Sequence, residues 1–221
     1  LETLSGFLTG NASRMMTGIN DKFFFGANVS HSEHDDFLLQ RQQQVISAAK
    51  VCFSRSGFHG ASMADISRES ALGAGQIYRY FSSKELIVME TIKSIAQNWR
   101  LFLIQHLPAQ QSTQDIINAD SPFWQHWPSQ DRKLLLEMYS EASRNESVRT
   151  ILAQQEQLLL AELAAIFRAQ QPDIDPTQRA NRIQFLLLLV DGVACRAFVD
   201  SDLDQREMQR VNGVLSQHLF G

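Results

Sequence analysis

Residues 61–86, ASMADISRESALGAGQIYRYFSSKEL, carry the pattern that most limits what this chain can fold into. Two short amphipathic segments flank a tight three-residue connection, and an aromatic and basic run follows before a long helical pattern begins. Ser62 precedes Met63 and Ile66, apolar residues at helical spacing, so it is placed to cap a short helix whose first amides can face an anion. Gly73 is the next cap, and a second helix of about two turns puts Ile77 inward with Ala74, Gly75, Gln76 and Arg79 outward. The predicted layout is a helix-turn-helix.

The outward residues suit a nucleic-acid groove. Small side chains let a helix sit deep in a major groove, and a glutamine can pair with adenine N6 and N7. Tyr78, Tyr80, Ser82, Ser83 and Lys84 add hydroxyls, a helix cap and a cation, groups that suit phosphate contacts. Such contacts fix register without reading sequence. The candidate DNA-binding set is Ser62, Ala74, Gly75, Gln76, Tyr78, Arg79, Tyr80 and Lys84.

From Arg41 to Leu86 the chain resembles the DNA-binding domain of the tetracycline-repressor (TetR) family of bacterial transcription regulators. That family's first helix ends in a Phe-x-x-x-Gly-aromatic turn, matched by Phe53, Gly57 and Phe58. A Thr or Ser opens its second helix, matched by Ser62, and the recognition helix closes in Tyr-x-x-Phe-x-x-Lys, matched by Tyr78, Phe81 and Lys84. The resemblance covers about a fifth of the chain. In two places the sequence departs from the pattern. Ser70, Ala71 and Leu72 stand where Ala-Gly-Val is usual, and Gln76 stands where Thr is common. A left-handed Ala in that turn costs about 1–2 kcal/mol.

Charge is distributed as a local footprint would require. The chain carries -4 overall, but residues 1–40 hold -3, residues 41–93 hold +3 and residues 94–221 hold -4. Only the proposed DNA-binding part is positive. Cys52 and Cys195 lie on apolar helical patterns without metal-ligand spacing, and free thiols in a reducing cytoplasm are expected. The longest apolar run, Phe185 to Val190, is far too short to span a membrane.

Along the chain, residues 1–31 read as an N-terminal extension, of which 1–14 are either an appended leader or an upstream segment. The Phe run at Lys22–Phe25 is a packed segment or an arm. The helix-turn-helix domain is assigned to residues 32–82, opening at a Ser32 cap and ending its first helix at Gly57. Residues 83–221 form a larger helical domain for ligand binding and dimerisation, so the fold class is all-α. Its first helix keeps Leu86, Met89, Ile92, Ala96, Trp99 and Leu103 in register. A ligand pressing on the Trp99 end of that helix can tilt the DNA-binding domain. A short helix is expected over 112–119, followed by a loop, 121–128, dense in aromatic rings. Those rings either plug the base of the bundle or line a ligand cavity. The candidate ligand-binding set is Trp99, Phe102, Phe123, Trp124, Trp127 and Met138, which points to an apolar or aromatic effector.

Asn145 caps the helix that follows residues 129–144, and Pro176 opens the next. The helix through Phe185–Val190 is apolar nearly all round, and the last helix carries Met208, Val211, Leu215 and Leu219 as its stripe. Together they expose more apolar surface than one subunit covers, which predicts a four-helix dimer interface; the simpler reading makes both core helices of a monomer. Asp191 and Arg196 are polar residues in the apolar helix, and Asp191 needs Arg196, another helix or solvent; a structural partner across the dimer is favoured over ligand binding. Gly192 beside it allows close helix approach.

No HExxH, GxSxG, P-loop or CxxC pattern is present, and the six histidines converge on no triad. No enzyme activity, metal or cofactor is expected. The favoured function is a ligand-responsive homodimeric repressor of a palindromic double-stranded DNA operator, cytoplasmic and not membrane-bound. The alternative is a helical small-molecule-binding protein or enzyme that has lost DNA binding.

Overall fold

The computed structural model describes residues 33–110, 112–118, 121–127, 129–196 and 205–220, and every regular element among them is helical. The order is α1 (Glu33–Gly60), α2 (Met63–Ser70), α3 (Ala74–Tyr80), α4 (Lys84–His106), a 3-10 turn (Leu107–Ala109), α5 (Thr113–Ile117), α6 (Pro122–Gln125), α7 (Ser129–Ala142), α8 (Glu146–Gln170), α9 (Pro176–Arg196) and α10 (Gln205–Phe220). Residues Leu1–Leu39 form one compact unit, of which only the opening of α1 is described. Gln40–Gly221 form the other. The N-terminal arm and the Ser32 cap lie outside the described residues.

α1 breaks at Gly57, whose φ of 71° and ψ of 169° belong to a region open essentially to glycine alone. The break swings Phe58 back onto Phe53, their rings edge to face at 5.2 Å. Both are buried, with Ala49, Ile66, Ile77 and Phe81, in the core beneath α2 and α3. The caps fall where the residue types place them. Ser62 and Asp65 form a capping box on α2, Ser83 accepts from the Leu86 amide at the start of α4, and Asn145 accepts from the Ser147 and Val148 amides of α8. Pro176 occupies the first position of α9, where Asp175 accepts from the Thr177 and Gln178 amides.

The turn between α2 and α3 keeps the geometry that glycine usually supplies. Ala71 has φ 54° and ψ 25°. Its strain is offset by what surrounds it: Leu72 is buried, Ser67 donates to the Leu72 carbonyl at 2.6 Å, and Gln44 of α1 donates to the Ser70 carbonyl at 2.7 Å.

In the body, α4 packs along α8, α8 along α7 and α9, and α5 sits between α9 and α10. Three details depart from the sequence pattern. Leu86 is 38 % exposed and Ile87 fully buried in its stead. The aromatic stretch after residue 120 contains a short helix, α6, rather than only loop. On α10, Val211 is 43 % exposed and the inward position belongs to Asn212, 3 % exposed. The Asn212 carbonyl accepts from Thr113 Oγ1 at 3.1 Å, and Asn212 Nδ2 donates to Gln114, so the α5–α10 contact is polar where an apolar stripe was expected. Asp191 follows one of its expected routes, its neighbours being Trp99 of α4 and Tyr139 of α7 rather than Arg196.

Two substitutions test the backbone reading. Ala71→Gly is expected to raise stability by about 1 kcal/mol, because glycine removes the left-handed strain at some cost in unfolded-chain entropy. Gly57→Ala is expected to lower it by about 2 kcal/mol, since φ is excluded to alanine and a Cβ there runs into the Glu137 carboxylate. Urea midpoints at constant m-value check both.

Candidate nucleic-acid interface and ligand cavity

α3 has one fully buried side chain. Ile77 is fully buried, while Ala74, Gly75, Gln76, Tyr78 and Arg79 all face out, Tyr78 with 51 % of its surface exposed. A Cβ at Gly75 would meet nothing within 4 Å, so close approach is open there. Tyr80 is half-buried against the core. Three members of the candidate set already hold partners. Gln76 Oε1 accepts from the Gly73 amide at 3.0 Å, closing the start of α3. Ser62 Oγ lies 2.6 Å from Asp65 Oδ2, and Lys84 Nζ donates to the His59 carbonyl at 3.1 Å. Adenine pairing by Gln76 has to fit around the Gly73 contact, with the second lone pair of its oxygen as acceptor and its amide nitrogen as donor.

The residues before α3 are tied to the body through a cluster that no sequence pattern marked. Glu141 on α7 is 7 % exposed, and its Oε2 lies 3.0 Å from His59 Nε2 and 2.6 Å from an Arg144 guanidinium nitrogen. Asn145 donates to the other oxygen at 3.2 Å. Burial alone would raise the Glu141 carboxyl, but the hydrogen bonds from Asn145, His59 and Arg144 outweigh it and hold it below the usual range. Near the start of α7, Asp131 faces Lys50 of α1; burial pushes the acid up and the lysine down, and each charge partly restores the other.

A cavity of about 280 Å³ opens between α4, α7 and α8. Trp99 and Met138 of the candidate ligand set line it, with Ala96, Arg100, Tyr139, Leu152, Glu156 and Leu159 among the others. Phe102, Phe123, Trp124 and Trp127 do not line it. They form a stack behind Trp99, with centroids 5.4 Å from Trp99 to Phe102, 5.1 Å to Trp127 and 6.3 Å to Trp124. Trp124 Nε1 donates to the Ile116 carbonyl at 2.6 Å, and Arg132 lies 4.8 Å over its ring. Such rings plug the bundle: all four are 6 % exposed or less. His106 and His126 stack at 4.5 Å nearby, and no group of three or more metal-ligating side chains occurs among the described residues.

Asp191 lies beside the Trp99 indole and the Tyr139 hydroxyl. Burial and the neighbouring Glu156 charge push its carboxyl up to about 6, against the downward pull of those two polar groups. Burial and the Asp191 and Glu156 charges likewise raise the Tyr139 phenol, and burial raises Glu156. The lone acid in an apolar run was the visible signal for this site; Tyr139, Glu156 and Arg100 carried none, because their sequence neighbourhoods are ordinary amphipathic helix.

The folded Asp191 holds its proton to higher pH than its ordinary 3.8, so its contribution to stability is full below that value and lost as pH rises through about 6. Asp191→Asn removes the charge and keeps one acceptor oxygen. Its expected effect is a gain of up to about 3 kcal/mol near pH 8 and a flatter stability profile between about pH 4 and 6, measured by denaturation across pH.

Among the described residues, no helix is long and apolar enough to cross a membrane. Residues 45–91 match the model of the bacterial regulatory proteins, tetR family. Over 172 residues the chain is 27 % identical to the HTH-type transcriptional regulator BetI of Vibrio vulnificus, covering 73 % of this chain and 83 % of that protein. Over 156 residues it is 28 % identical to the HTH-type transcriptional regulator UidR of Escherichia coli K12, covering 68 % and 78 %. Its fold is similar to that of Salmonella enterica GusR, with a TM-score of 0.60 at 23 % identity over 82 % of this chain and 96 % of GusR. It is also similar to a transcriptional regulator of Rhodococcus sp. Rha1, with a TM-score of 0.57 at 16 % identity over 80 % and 93 %. Residues 45–91 are thus similar to the DNA-binding domain of the tetR family, the chain as a whole is similar to HTH-type transcriptional regulators, and its fold is like that of GusR.

Proposed function

We propose that this regulator is a homodimeric repressor that leaves a palindromic operator when a small molecule enters the cavity between α4, α7 and α8. The observation that carries DNA recognition is α3 itself: one buried anchor, Ile77, under an outward face of Ala74, Gly75, Gln76, Tyr78 and Arg79. In this reading Gln76 and Arg79 read base edges where Ala74 and Gly75 let the helix sit deep. Ser62, Tyr78, Tyr80 and Lys84 hold phosphates on either side. Two such helices, one per protomer, read half-sites about one helical turn apart or somewhat more.

Dimerisation is supported by apolar side chains left outside the core of the protomer. On α9, Phe185 and Leu188 are 42 % and 70 % exposed, and on α10, Val211 and Val214 are 43 % and 63 % exposed. Phe185, Leu188 and Gly192 fall on one helical stripe, and a Cβ at Gly192 meets nothing within 4 Å. A second copy of the same face can close over it.

Coupling rests on α7. Met138 and Tyr139 line the cavity, while Glu141, less than a turn away, holds His59, and Glu137 lies against Gly57. α4 offers a parallel route from Trp99 to Lys84, whose ammonium holds the His59 carbonyl. A ligand that displaces Tyr139 therefore bears on the residues that orient α2 and α3. A coupling of about 1–3 kcal/mol changes operator affinity about 5- to 150-fold.

The experiment is selection from a random duplex pool by wild type and by a Tyr78→Phe, Lys84→Ala double variant. Wild type is expected to enrich one palindrome, and the variant to lose it while keeping its helical content. Enrichment of nothing by wild type at low salt, where phosphate contacts are strongest, would count against operator binding by the free protein. Leu188→Asp is expected to shift the sedimenting species from dimer to monomer.

A further inference from the structure

We propose that Gln44 of α1 is a positioning residue for operator recognition: by holding the Ser70 carbonyl it locks the Ala71 turn in its left-handed form and so sets the angle at which α3 meets DNA. Its role rests on the reading of α3 as the recognition helix, from which Gln44 itself stands apart.

Ala71, at φ 54° and ψ 25°, is the one non-glycine with positive φ among the described residues. Glycine holds that conformation without cost, whereas alanine is strained there and relaxes toward negative φ. The route between the two is rotation of the peptide plane that joins Ser70 to Ala71, which moves the Ser70 carbonyl and the Ala71 φ together. That plane is gripped unequally. The Ala71 amide reaches the Arg68 carbonyl at 3.4 Å, a long contact, while the Ser70 carbonyl accepts from Gln44 Nε2 at 2.7 Å. The stronger grip therefore comes from α1, 26 residues back in the chain. Gln44 is itself oriented: Arg41 Nη1, one turn earlier on α1, donates to its Oε1 at 2.8 Å, which leaves the amide nitrogen to face Ser70. Downstream, the turn is closed from within. Ser67 Oγ donates to the Leu72 carbonyl at 2.6 Å, and the Leu72 amide reaches Ser70 Oγ at 3.4 Å.

The turn leads straight into the reading helix, since Gly73, two residues after Ala71, is the N-cap of α3. α3 is about 10 Å long, with Ile77 fully buried and Tyr80 packed partly against the core. Its direction about that anchor is set by the turn before it. Hydrogen bonds to base edges are directional, whereas phosphate contacts position without reading sequence. Relaxation of Ala71 therefore costs discrimination between sequences more than it costs attraction to DNA. Only molecules with the left-handed turn read the operator, so operator affinity falls by the fraction that relaxes. With glycine at that position the turn needs no external grip, which ties the importance of Gln44 to the alanine.

The test uses the full chain, the duplex that wild type selects and a random-sequence duplex of equal length. Wild type, Gln44→Met, Ala71→Gly and the double variant are compared at a temperature where circular dichroism shows all four folded. Methionine keeps the length of the side chain and removes the donor. Gln44→Met is expected to weaken the selected duplex about three- to tenfold, with affinity for the random duplex held within about twofold and its salt dependence unchanged. Ala71→Gly alone is expected to shift either affinity by less than about twofold, and in its background Gln44→Met is expected to cost less than about twofold. General damage to the fold lowers both affinities together, which separates it from a lost grip on the turn. Undiminished binding of the selected duplex by Gln44→Met, an equal loss in both backgrounds, or a loss shared by the random duplex overturns the positioning role and leaves recognition by α3 standing. Failure of wild type to distinguish any duplex from random sequence overturns the recognition reading, and the positioning role with it.

Discussion

The buried carboxylate of Glu141 gathers His59 from the segment after the Gly57 break together with Arg144 and Asn145 from the end of its own helix. A charge 7 % exposed is costly unless every partner stays in place. That requirement fixes the segment leading into α2 against the body, and with it the orientation of the outward face of α3. Lys84 reinforces the same point by donating to the His59 carbonyl. Such a contact is strong when complete and costly when partly broken.

The cavity opens beside the same helix, α7. It is bounded by α4, α7 and α8, and two of those helices also touch the turn that carries His59. The aromatic stack behind Trp99 gives the body a rigid base. Against that base, burial and the Glu156 charge push the Asp191 carboxyl up to about 6.

The helix-turn-helix was legible in the sequence because each of its features is local. Ser62, Gly57, Ile77 and Ser83 each act on backbone within a few residues, so residue type nearly determines role. Even the anomaly at Ala71 was legible as a cost, and the structure accepts the left-handed geometry with help from Gln44 and Ser67. The body was legible as helices but not as a site. Trp99 and Met138 reach the cavity, whereas Phe102, Phe123, Trp124 and Trp127 share the same composition and pack behind it. Which ring meets empty space depends on how α6 folds back on α4, and composition does not encode that. Asn212 makes the same point: its inward position depends on α5 supplying Thr113 and Gln114 from about a hundred residues away. Glu141 looked like any acid on an exposed helix face until α1 broke at Gly57 and brought His59 beside it.

The most direct measurement is the effect of a cavity ligand on operator affinity in wild type and in Glu141→Gln, with ligand affinity followed in parallel by tryptophan fluorescence. Loss of most of the operator response in the variant, with ligand affinity and fold retained, is the predicted result, because the cavity would still fill but would no longer bear on His59. An undiminished operator response in Glu141→Gln would contradict the account and leave α4 as the route.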